Sequence, residues 1–134
     1  MSQHHQRVAV LMGGWTAEAS VSRVSASFCG QAARNAGWDA VEIEVERDIA
    51  DTLAKLKPSR VFNALHGQIG EDGNIQGLLN IMNIPYTHSG LTASAIAMDK
   101  ILAKTMLADC GILVPPNLKL VEDTHVYPEN YQGA

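Results

Sequence analysis

The segment FNALHGQIGEDGNIQGLL, Phe62–Leu79, sets His66 beside a glycine and then places Glu71 and Asp72 together between Gly70 and Gly73. A loop that only turns the chain needs neither a histidine nor two adjacent carboxylates. His66 closes a strand-like run, where a histidine is either a binding group or hydrogen-bonded structure. Asp72 is well placed to cap the following helix, which leaves Glu71 as the freer carboxylate. Glu18, in GGWTAEAS, is the second candidate. In the first turn of a helix it is either favoured by the helix dipole, worth a few tenths of a kcal/mol, or aimed into a cleft to hold an ammonium group. Lys100, after Asp99 in AMDKILAK, reads by pattern as a surface lysine. One histidine and two neighbouring carboxylates do not converge as metal ligands. No G-x-G-x-x-G, G-K-[ST] or G-x-S-x-G spacing occurs, so neither a dinucleotide fingerprint, a P-loop nor a nucleophile elbow is present.

The elements that must position these groups alternate. RVAVLM (7–12) is a short apolar run ended by two glycines, as expected of a strand buried on both faces. Thr16 is placed to cap a helix carrying Val21, Val24, Ser25, Phe28 and Ala32 at helical spacing, with Gly37 at its end. DAVEIEV (39–45) alternates apolar and acidic residues, which suits an edge strand. IADTLAKL is a short helix stopped before Pro58, and RVFNAL a third strand. Ile75, Leu78, Leu79 and Met82 mark a helix, and IPYTHS a fourth, short strand. A helical stretch runs from Thr92 towards Cys110 with a break near Asp99; GILVPP and NLKLV follow. This β-α-β-α-β-α-β-α order calls for an α/β fold with a parallel sheet covered on both faces. Ligands in such sheets sit beyond the carboxyl ends of the strands. GGWTAEAS, HGQIGEDG and THSGLTAS all fall at that edge, and their coincidence is stronger than any one loop.

The 134 residues fit one domain, and 46% apolar content suits a globular core. A net charge of −4 and the lack of a basic run argue against nucleic acid. The polar start MSQHHQR is no signal peptide, and no apolar run is long enough to span a membrane, so the expected location is the cytoplasm. His4 and His5 read as a solvated tail. Cys29 and Cys110 read as reduced core thiols.

VLMGGWTAEASVS resembles the first loop of the D-alanine–D-alanine ligase family, M-G-G-x-S-A-E-R-E-V-S, and NALHGQIGEDGNIQGLLNIMNIPYTHSGLTASAIAMDKILAK resembles that family's most distinctive run. The likeness covers residues 7 to about 120. It implies an enzyme of the ATP-grasp superfamily that joins two D-alanines for peptidoglycan precursors: ATP phosphorylates one carboxylate, and the amine of the second D-alanine attacks the acyl phosphate. It further implies a homodimer and a Rossmann-like, three-layer first domain with a mostly parallel sheet. Carried onto this chain, Glu18 would hold the ammonium of the first D-alanine. Val21 would line that pocket, His66 would sit near the same substrate, Glu71 would support the wall by hydrogen bonding, and Lys100 would reach the ATP phosphates. Two Mg2+ or Mn2+ ions would take their ligands outside this chain.

On that likeness, residues 1–6 are a disordered tail, 7–100 the Rossmann-like domain, and 101–134 the handover into a truncated ATP-grasp body. The chain alone is then expected to be inactive. The family's Arg and Glu after Glu18 are Ala19 and Ser20 here, and His88 stands where Y-T-G-S-G has its first glycine. A standalone binding module and a dimerising domain are the rival readings. The second substrate, D-alanine, D-serine or D-lactate, is not encoded here.

Overall fold

The structure, a computed structural model, describes residues 6–116. Strands β1 (Arg7–Met12), β2 (Asp39–Glu44) and β3 (Arg60–Asn63) form a sheet in the order β2-β1-β3. Both pairings are parallel, with Val8 against Ala40 on one side and Arg60 on the other. The expected fourth strand is reduced to a bridge: Tyr86 pairs with Val61, held by Val61 N–H to the Pro85 carbonyl at 2.8 Å and Thr87 N–H to the Val61 carbonyl at 3.1 Å. Pro85 has no N–H to give, and the positive φ of His88 turns the chain away three residues later.

β1 lies in the centre, and its alternation divides the core in two. Ala9 and Leu11 pack with Val45, Ile49, Leu53, Val61, Leu65, Ile75 and Leu79, which places helices α2 (Ile49–Leu56) and α3 (Asn74–Ile81) on that face. Val8 and Val10 pack with Ala26, Ala40 and Ala64 on the opposite face, under helix α1 (Ala19–Asn35). The result is the three-layer α/β architecture expected of the alternating elements.

α1 does not bury the apolar stripe read from its spacing. Val21, Val24 and Phe28 are exposed, Phe28 to 75%. Ala19, Ser22, Ala26 and Gly30 face the sheet instead. Small residues let the helix lie close to the strands, and a Cβ at Gly30 would overlap the Glu42 carboxylate. The acidic side of β2 is therefore under α1, where Glu42 and Glu44 pair with Arg34 and Arg23. Thr16 is not the cap of α1. Glu18 takes the cap position without a side-chain bond, while the Thr16 carbonyl accepts from Ala19 N–H and its buried hydroxyl has no partner among the described residues. Gly37, at φ 89, closes α1 in a Schellman arrangement, its N–H bonding the Arg34 carbonyl and Trp38 N–H the Ala33 carbonyl.

The helical stretch after residue 90 is broken at Asp99 into α4 (Leu91–Met98) and α5 (Lys100–Asp109). The Asp99 carboxylate caps α5, accepting from Ile101 N–H at 3.0 Å and Leu102 N–H at 2.9 Å. Cys29 is half-buried and Cys110 exposed, both free, so Cys110 is not a core thiol. No helix among the described residues is long and apolar enough to cross a membrane. The readings of His4, His5 and NLKLV lie outside the described residues.

Candidate functional site

Because β1 and β3 are neighbours and parallel, the loops that follow them meet at one edge of the sheet. Ser22, fully buried on α1, ties them together: its hydroxyl accepts from Gly13 N–H at 2.9 Å and donates to the Ala64 carbonyl at 2.8 Å. One side chain thus satisfies the first glycine after β1 and the first carbonyl after β3.

Glu18, at the cap of α1, and Val21 and Ser25 within it follow at i, i+3 and i+7, one face of the helix. The Glu18 carboxylate lies directly over the Cα of Gly67, where any Cβ would overlap it. It has no hydrogen bond or ion pair among the described residues. Val21 is 55% exposed beside it. His66 is half-buried, and its Nε2 lies 3.0 Å from Ser25 Oγ. Glu18, Val21 and His66 thus share one wall, open to solvent. The broader cleft at this edge, about 530 Å3 between Trp15, Arg23, Glu44 and Arg47, is lined by none of them. Lys100 begins α5, exposed and unpaired among the described residues, and the structure does not bring it into contact with that wall.

The loop below the wall is rigidly bonded. Gly67 N–H donates to Glu71 Oε2 at 2.6 Å, and Glu71 N–H returns to the Gly67 carbonyl at 2.9 Å. Gly67 itself has φ 67, a left-handed conformation. Buried Asn63 receives Leu65 N–H and donates to the Gly70 carbonyl, which also accepts from Gln76 Nε2 at 2.7 Å. Asp72 does not cap α3, whose cap is Gly73 at φ 95. Its carboxylate ties the turn, accepting from Ile69 N–H at 2.9 Å and from both nitrogens of Asn74. His88 has φ 81, which accounts for a glycine being usual at this place, and packs edge-on to Phe62 at 6.0 Å.

Burial pushes the Asp72 carboxyl up, but the hydrogen bonds from Ile69 and Asn74 outweigh it and hold it below the usual carboxylate range. A carboxyl lowered by folding stabilises fully above its unfolded value, about 3.9, and loses that contribution as pH falls through the folded value. Asp72→Asn is therefore expected to lower the thermal midpoint at neutral pH, with the gap to wild type closing below about pH 4. Thermal melts across pH check this; a gap independent of pH would assign the loss to shape alone.

Ser22 and Asn63 were not singled out from the sequence, Ser25 was read only as part of the α1 stripe, and Gly67 only as the glycine beside His66. Ser22 carried a signal nonetheless, a small polar residue amid valines four positions after Glu18 on the same helix.

A family model described as D-ala D-ala ligase N-terminus matches residues 44–89, the stretch from the end of β2 to the glycine loop after Tyr86. Over that stretch the chain is similar to the N-terminal part of that family. It is 53% identical over 114 residues to the D-alanine–D-alanine ligase of Xanthobacter autotrophicus, covering 85% of this chain and 36% of the relative. It is 48% identical over 129 residues to that of Cereibacter sphaeroides, covering 93% and 42%. A solved D-alanine–D-alanine ligase from Bacillus anthracis, complexed with ATP, superposes with a TM-score of 0.75 at 29% identity, over 93% of this chain and 43% of that one. The chain thus spans 36–43% of the length of these three relatives. Of the wall, His66 lies within the family model's stretch, while Glu18 and Val21 precede it.

Proposed function

We propose that this chain forms the wall for the first D-alanine in an ATP-dependent D-alanine–D-alanine ligase that makes peptidoglycan precursors. One observation supports this above others: a carboxylate with no partner among the described residues, Glu18, lies over a glycine beside His66 at the ligand edge of a parallel sheet. A carboxylate so placed is available to a cation from outside the chain. Once water is excluded, a substrate ammonium needs an opposite charge, because an unpaired buried charge is costly. Glu18 supplies that charge, Val21 the apolar contact, and His66 a hydrogen bond to the same substrate. Glu71 holds Gly67, and with it the level at which Glu18 rests.

ATP would supply the phosphoryl group that activates the carboxylate of the first D-alanine. Lys100, exposed and unpaired among the described residues, suits contact with the phosphates, where a positive charge offsets developing negative charge. Among the described residues no group of three or more His, Cys, Asp or Glu could hold a metal ion. Mg2+ or Mn2+ binding and the second-substrate pocket are assigned to the part of the ligase that this chain does not span. The working protein on this reading is a cytoplasmic homodimer.

The test joins this chain to the remaining part of the Xanthobacter autotrophicus relative and compares the hybrid with the chain alone. D-alanine-dependent phosphate release from ATP is expected in the hybrid and absent from the chain alone, since one lysine cannot organise phosphoryl transfer. Release by the chain alone would overturn the division of labour. A folded hybrid that releases phosphate without regard to D-alanine would overturn the substrate.

A further inference from the structure

Ser25 lies two turns after Glu18 on α1, half-buried, with its hydroxyl 3.0 Å from His66 Nε2. Neither side chain makes another hydrogen bond among the described residues, so each is the other's partner. Both backbones are anchored independently of this contact. α1 is pinned through Ser22 to Gly13 and Ala64, and the chain after His66 is pinned through Gly67 to Glu71. The Ser25–His66 contact therefore joins two fixed supports, and its effect falls on the imidazole ring. A neutral imidazole carries one proton on two nitrogens, and the bond made by one nitrogen sets the state of the other.

We propose that Ser25 is a positioning residue for His66: it engages Nε2, holds the ring in one tautomer and orientation, and leaves Nδ1 as the nitrogen that meets the substrate. This rests on the reading of His66 as part of the D-alanine wall. The serine acts only through the histidine and touches no substrate itself. A histidine that merely completes the packing would need no particular tautomer, whereas one that bonds a ligand must present a donor or an acceptor consistently.

The 134-residue chain labelled with 15N-histidine tests the hold on the ring. The two ring nitrogens of His66 are expected to give well-separated signals at neutral pH. In Ser25→Ala they should move towards each other as the tautomers mix, and in Ser25→Thr they should separate again. Averaged ring signals in the wild-type chain would overturn the proposal without recourse to any variant. Unchanged ring signals in a folded Ser25→Ala chain would do the same.

The hybrid ligase supplies the second arm. Ser25→Ala is expected to lower kcat/KM for D-alanine about 3- to 10-fold, the scale of one hydrogen bond, with Ser25→Thr close to wild type. A loss in His66→Ala with none in Ser25→Ala would overturn the positioning role. No loss in either variant would remove His66 from the substrate wall, and the ring signals alone would then decide whether Ser25 holds the imidazole.

Discussion

Glu18→Gln in the hybrid ligase is expected to weaken the first D-alanine roughly 30- to 3,000-fold while changing ATP affinity little. Glutamine keeps the length and shape of the side chain and removes its charge. Glu18 is exposed and has no partner among the described residues, so its charge is not needed to hold that part of the chain together. Once the substrate and the rest of the ligase close over the wall, truncating one partner of a buried ion pair costs about 2–5 kcal/mol. At about 1.4 kcal/mol per tenfold, that gives the range stated. The thermal midpoint of the 134-residue chain should hardly move, because the carboxylate makes no bond that folding relies on. His66→Ala should cost less, since the histidine donates or accepts one hydrogen bond rather than supplying the counter-charge. Steady-state kinetics with D-alanine and ATP varied separately decide the matter. D-alanine kinetics within about threefold of wild type would leave Glu18 as a helix-start carboxylate favoured by the dipole and nothing more.

The layer order and the loops at the ligand edge were legible in the sequence because their signals are local. Five consecutive apolar residues in β1 mean burial on both faces, and alternation in β2 means an edge. The inward face of α1 was not legible. Periodicity ranks residues by hydrophobicity, and it pointed to Val21, Val24 and Phe28. The approach of a helix to a sheet is set by steric fit, and here Ala19, Ser22, Ala26 and Gly30 permit it. The same limit hid the contacts of Ser22 and Ser25. Each is an ordinary helical serine in sequence, and its partner lies about forty residues away: the Ala64 carbonyl in one case, His66 in the other. The fourth strand was over-read because IPYTHS has strand-like residues, while only Tyr86 has a neighbour to pair with. Glu18 and His66 were visible by type and position. That they share a wall depends on β1 and β3 being adjacent, which element order alone does not determine.

Gly67→Ala should damage stability and substrate binding together, and the two effects can be separated. Gly67 has φ 67, where an L-residue costs roughly 1–2 kcal/mol, and its N–H serves Glu71. The added methyl would also occupy the place of the Glu18 carboxylate, which must swing away. Gly37→Ala is the control: at φ 89 it carries similar backbone strain, but its Cβ would meet open space, remote from the wall. Both variants are expected to melt several degrees below wild type. In the hybrid ligase only Gly67→Ala should raise the KM for D-alanine, approaching the effect of Glu18→Gln. Because both changes remove the same interaction, their effects should not add: the double variant should bind D-alanine about as weakly as Glu18→Gln alone. Additive losses would mean that Gly67 contacts the substrate in its own right. A folded Gly67→Ala ligase with unchanged D-alanine kinetics would mean that Glu18 does its work from some position other than the one over this glycine.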